Sequence, residues 1–215
     1  MKSDKTKNTN PIQIFVEGKS DYQLIYQIVK YWFNYPLFLK TELRMTEGWT
    51  KIVSSTAKGI SWRQFMRNNS DNGGVNLIIF DADNDIEQRR EEILKWKKEH
   101  DLDFELFLFP NNQSPGAVED LLMQCINPHN QPIIDCWKSY VACLKTKKIE
   151  GRSRPLTIPA RKSEVYCYLE TLVGTTKKEK DLIKDENRNF LNPDHWDMDC
   201  AAIQPLKNFL KPYFE

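Results

Sequence analysis

The chain has 215 residues, of which 40% are hydrophobic and 28% charged, a globular composition that leaves no room for a fibrous or disordered reading. No apolar run approaches the length that crosses a bilayer, so no membrane role is expected. Formal net charge is +1, so no global field draws the chain onto nucleic acid or an anionic membrane, and any polyanion site must be local.

The opening decamer MKSDKTKNTN is polar, lacks a signal peptide's apolar core, and is expected to be a flexible tail at 1–10, with the chain cytoplasmic. Residues 11–215 then suit one α/β domain, with a core at about 11–126 and a helical part at about 127–215. Short apolar runs predict strands at 12–16, 40–45, 75–80 and 104–109. Between them, helices are predicted at 20–34, where Leu24, Ile25, Ile28, Val29 and Trp32 recur at spacings of three and four, at 60–68, which ends in the turn-forming loop NNSDNGG, and at 85–100. The last begins acidic and ends basic, as the helix dipole favours, and Glu91 and Lys95 are placed to pair. Strand alternating with helix predicts a mostly parallel central sheet flanked by helices. Beyond residue 115 the pattern is helical, at 116–126, 132–147, 162–173 and 198–211, and these helices are expected to pack on the sheet.

The five cysteines, Cys125, Cys136, Cys143, Cys167 and Cys200, are odd in number and widely spaced, so free thiols are expected. Cys136 and Cys143, two helical turns apart, read as buried. The six tryptophans fall in apolar helical patterns and read mostly as core.

Carboxylates recur where the predicted strands run out. Glu17 follows IFV, Asp81 and Asp83 follow LIIF, and Glu119 comes after FLFPNNQSPGAV. In a parallel sheet these strand ends line one crevice, where ligands bind. Acids gathered there repel one another unless a cation sits among them, and magnesium takes oxygen ligands. Taken singly, each acid also has a structural reading. Asp81–Asp85 can cap a helix, Asp21 and Glu119 can be first-turn acids, and Glu17 can be a polar strand exit.

The stretches EGKSD at 17–21 and DAD at 81–83 resemble the Toprim domain, and SPGAVED at 114–120 is similar to the overcoming-lysogenization-defect (OLD) nucleases. The likeness extends to small stand-alone Toprim-like proteins of uncharacterised function and covers about residues 10–172. It implies a magnesium- or manganese-dependent nuclease with one or two ions held by Glu17, Asp21, Asp81, Asp83 and Glu119. It also implies catalytic roles for Glu17, Ser114 and Lys162. DNA ranks above RNA as substrate, and an ATPase partner in phage defence and self-association are further expectations. The segment MTEGWTKI at 45–52 departs from the family in having one Gly where many such domains have a Gly-rich turn.

Lys145, Lys147, Lys148, Arg152, Arg154 and Arg161 form a basic stretch that is either a phosphate-binding track or a solvated loop. Lys58, Arg63 and Arg67 recur near helical spacing and read as an exposed face. Two rival functions remain at this point. One is a Toprim-like module that binds metal, nucleic acid or an ATPase without cleaving. The other is a glycosyltransferase using Asp81 and Asp83, which leaves the other two motifs idle.

Overall fold

Alternating side chains explain why the central strands lie between two layers of helices. In β1 (Ile12–Val16), Ile12, Ile14 and Val16 join one apolar core while Phe15 joins the other. In β5 (Val75–Asp81), Leu77 and Ile79 face the first core and Ile78 and Phe80 the second. Strands buried on both faces are the mark of a parallel sheet. The structure is a computed structural model and describes residues 11–37, 41–54, 56–57 and 60–215, with backbone alone at 56, 57 and 60. The expected tail at 1–10, the first residue of the expected strand at 40–45, and Lys58 lie outside the described residues.

The chain runs β1, α1 (Lys19–Phe33), β2 (Leu43–Met45), α2 (Trp49–Ser54), β3 (Thr56–Ala57), β4 (Ile60–Ser61), α3 (Trp62–Asp71), β5, α4 (Ile86–Glu99) and β6 (Glu105–Phe109). It continues through α5 (Val118–Leu122), α6 (Gln131–Thr146), α7 (Arg161–Val173), α8 (Lys177–Leu182) and α9 (Gln204–Phe214). Short 3₁₀ turns stand at Pro128–Asn130 and Ala201–Ile203. The main sheet has the order β2-β1-β5-β6 with every pairing parallel, while β3 and β4 form a separate antiparallel pair. This is an α/β fold with additional C-terminal helices. Among the described residues no helix is long and apolar enough to cross a membrane.

One core gathers Leu24, Ile28, Val118, Leu121, Val165, Leu169, Leu206 and Leu210 from α1, α5, α7 and α9 against the sheet. The other holds Ile52, Trp62, Met66, Ile93 and Trp96 from α2, α3 and α4. Buried Asn76 ties the start of β5 to its surroundings, its amide donating to Met66 O, Ser70 Oγ and Asp103 O at 2.9–3.0 Å.

Some expectations change. The predicted 116–126 helix is cut to five residues, and the predicted 198–211 helix starts as α9 only at Gln204, after the 3₁₀ turn. Lys95 turns to Glu99 at 3.8 Å rather than to Glu91. Cys136 and Cys143, expected to be buried, are exposed. The reason is that α6 meets the rest of the fold chiefly through α7 and buries only Ile134 among its own residues.

Candidate functional site

Glu17 leaves β1 at its carboxyl end, and Gly18 begins the turn into α1. Asp21 sits in the first turn of α1, where its Oδ2 accepts a hydrogen bond from Gly18 N at 2.9 Å. The same carboxylate thus closes the helix start and faces the sheet edge. Asp81 ends β5, next to β1 in the sheet, and its Oδ1 accepts from Val118 N at 2.9 Å. That bond brings the start of α5, and with it Glu119, to the strand ends. Gly116 makes the approach feasible. It has φ +148°, and a Cβ there would lie 2.8 Å from Asp120 Oδ2 and 2.9 Å from Pro110 Cδ.

Glu17, Asp21, Asp81 and Glu119 line one hollow of about 370 Å³, together with Glu47, Gly48, Asp185, Lys19 and Lys162. Six carboxylates thus meet two lysines. Burial first, and the charge of Asp21 second, raise Glu17 from its ordinary 4.5 to about 7, with Arg89 and backbone hydrogen bonding offsetting part of the rise. Burial likewise raises Asp21 to about 6. Asp81 stands well above the usual carboxylate range because of burial and then the charges of Asp21, Glu17 and Glu119.

Among the described residues, Glu17 Oε1 is buried without a hydrogen-bond partner. A buried, unpartnered carboxylate oxygen among like charges is the arrangement a divalent cation relieves, and oxygen donors suit magnesium or manganese. The donor set therefore fits such an ion. Among the described residues no three acid, histidine or cysteine side chains stand close enough together to hold a metal ion as they are placed. The acids line the hollow instead of closing on a point, which leaves room for the waters magnesium keeps.

The remaining expected site residues lie elsewhere. Asp83 has φ +55°, bridges by backbone to Gly116, and pairs with Arg89 outside the lining of the hollow. Ser114 is engaged by Asn111, its N–H donating to Asn111 Oδ1 at 2.8 Å, and it too is outside the lining. Arg161 pairs with Asp120 at 3.2 Å. Lys145, Lys147, Lys148, Arg152 and Arg154 are exposed at the end of α6 and in the connection to α7.

Sequence reasoning missed Asp185 and Arg188. Lys162 pairs with Asp185, and this contact more than offsets the effect of burial, so the ammonium titrates above its ordinary value. Asp185 in turn accepts from Arg188, 3.1 Å away, whose side chain is only 2% exposed. Arg188 also donates to Ser20 Oγ at 3.1 Å and Ile183 O at 3.2 Å. A chain of contacts thus runs from α1 through the C-terminal segment to Lys162. Lys19 is held by Glu186 at 3.2 Å. No motif in the sequence marked this segment, because a single Asp and Arg after α8 look like surface charges. Lys19 also lines a more apolar cleft of about 560 Å³ between α1 and the edge strand β2.

The fold and site define a parallel α/β protein with an acidic, lysine-rimmed hollow at the carboxyl ends of adjacent strands. Residues 11–215 match the family described as "Protein of unknown function (DUF3226)", and the chain belongs to that family. No curated protein and no solved structure matches it.

Proposed function

We propose that the chain is a metal-dependent nuclease that cleaves nucleic-acid phosphodiesters, DNA ahead of RNA, at the acidic hollow. The observation that carries this reading is the buried, unpartnered Glu17 Oε1 among carboxylates that outnumber the lysines around them. The resemblance of EGKSD, DAD and SPGAVED to Toprim nucleases supports it independently.

Glu17, Asp21, Asp81 and Glu119 are the residues to hold magnesium or manganese, as one ion or two. Such an ion neutralises phosphate charge and makes bound water a better nucleophile. Glu17 either shares in holding the ion or takes the proton of the attacking water. Lys162, steadied by Asp185, donates to phosphate oxygens as negative charge develops. The exposed basic stretch from Lys145 to Arg161 guides the nucleic-acid backbone, so binding weakens with added salt. Asp83, paired with Arg89, serves to brace the Asp81 turn, and Ser114 braces the loop before α5. An ATPase partner, self-association and a cytoplasmic setting belong to the same proposal.

A second reading, a module that binds metal or nucleic acid without cleaving, draws on one observation: Lys162 is already engaged by Asp185. A glycosyltransferase loses ground because only Asp81 of the Asp81–Asp83 pair lines the hollow. Supercoiled plasmid incubated with magnesium or manganese separates these readings. Nicking that disappears in Asp81→Ala supports the nuclease. Tight DNA binding without any cleavage refutes it in favour of the module.

A further inference from the structure

Two thiols distant in sequence meet beyond the acidic hollow. Cys125 lies just after α5 and is buried, while Cys200 precedes the turn Ala201–Ile203 and is partly exposed. Their Sγ atoms are 3.2 Å apart across 75 positions of sequence. The backbone on both sides is pinned, with Asp197 N donating to Cys125 O at 2.7 Å and Ile126 bridging Trp196. The remaining cysteines stand on other elements, Cys136 and Cys143 on α6 and Cys167 on α7. A disulfide needs its sulfurs about 2.05 Å apart, so closure asks for a shift of about 1 Å.

We propose that Cys125 and Cys200 are a redox modification site, closing reversibly to a disulfide when the chain meets a peroxide. Cys200 reaches solvent and meets the oxidant first. Its thiolate attacks one peroxide oxygen, the O–O bond breaks, and Cys200 sulfenic acid and hydroxide result. The Cys125 sulfur then attacks the Cys200 sulfur, the S–O bond breaks, and the departing hydroxide takes up the Cys125 proton as water. Two thiols lose two electrons and the peroxide gains them. The hydrogen bond the two sulfurs share agrees with these roles, holding Cys200 down at about 6 and pushing Cys125 up. In a reducing compartment such a bond is transient, as in redox sensing.

The cross-link would tie the end of α5 to the segment before α9, closing a loop that contains α6, α7 and α8. It restricts the unfolded chain, so oxidation should raise the melting temperature by roughly 5–10 °C.

The test treats the full chain with a few equivalents of hydrogen peroxide, alkylates it under denaturing conditions and weighs it intact. The proposal expects two of the five thiols to resist alkylation, a peptide joining Cys125 to Cys200, and full reversal by dithiothreitol. Cys125→Ser should instead leave Cys200 as a sulfenic acid that a dione probe labels. Five alkylatable thiols after treatment, or a cross-link joining a different pair, overturns the proposal. The wild-type measurement decides even if a serine variant fails to fold.

Discussion

Neutralising Glu17 puts a number on the crowding of charge at the strand ends. Burial and Asp21 raise its carboxyl from 4.5 to about 7 in the folded state. Below pH 4.5 the group is protonated whether the chain is folded or unfolded, and it costs nothing. As pH rises, the unfolded chain releases its proton first, while the folded chain holds it until about pH 7. The folded state binds more protons across that window, so its stability falls as pH rises through it. Once ionised, this one side chain costs the metal-free protein about 3 kcal/mol. Asp21 and Asp81, both raised, add slope of the same sign. Glu17→Gln keeps the shape and removes the titration. Urea unfolding of both proteins in chelator, from about pH 4.5 to about pH 8, should show the variant gaining on wild type by about 3 kcal/mol across the range. Manganese added at the upper pH should return more stability to wild type than to Glu17→Gln. A difference between the two proteins that stays constant with pH would refute the electrostatic reasoning.

Arg188→Met removes one partner of a buried ion pair and should lower stability by about 3–5 kcal/mol in denaturant unfolding, with Asp185→Asn in the same background recovering part of the loss. Gly116→Ala forces a side chain into a backbone conformation with φ +148° and should cost about 1–3 kcal/mol. The same change should weaken manganese binding by calorimetry, because the Val118–Asp81 hydrogen bond depends on that turn. Asn76→Ala removes the buried donor shared by Met66 O, Ser70 Oγ and Asp103 O and should cost about 2–3 kcal/mol while leaving manganese affinity unchanged.

Short apolar runs made β1 and β5 legible, because a strand buried on both faces has few alternatives. The helix α1 was readable from apolar spacing and α4 from its acidic start and basic end, and Asp85 does cap α4, accepting from Gln88 N at 3.0 Å. What sequence patterns could not supply was the environment of each side chain. Cys136 and Cys143 share a helical face, yet exposure there depends on how little of α6 the fold covers. The short helices α2 and α8, six residues each, carry too few turns for a period to register.

At the site, the strand-end acids announced themselves through position after apolar runs. Asp81 and Asp83 differ in surroundings although two residues apart, because the positive φ at Asp83 swings its carboxylate to Arg89. Asp185 and Arg188 were invisible for the opposite reason. Their partners, Lys162 and Ser20, lie in distant parts of the chain, and only tertiary packing joins them.

Crystals soaked in manganese and measured at the manganese absorption edge address the main assertion without relying on turnover. An anomalous peak among Glu17, Asp21, Asp81 and Glu119, absent in Asp81→Ala crystals, is the predicted result. A map with no peak in that hollow, or with manganese bound only elsewhere on the surface, would contradict it.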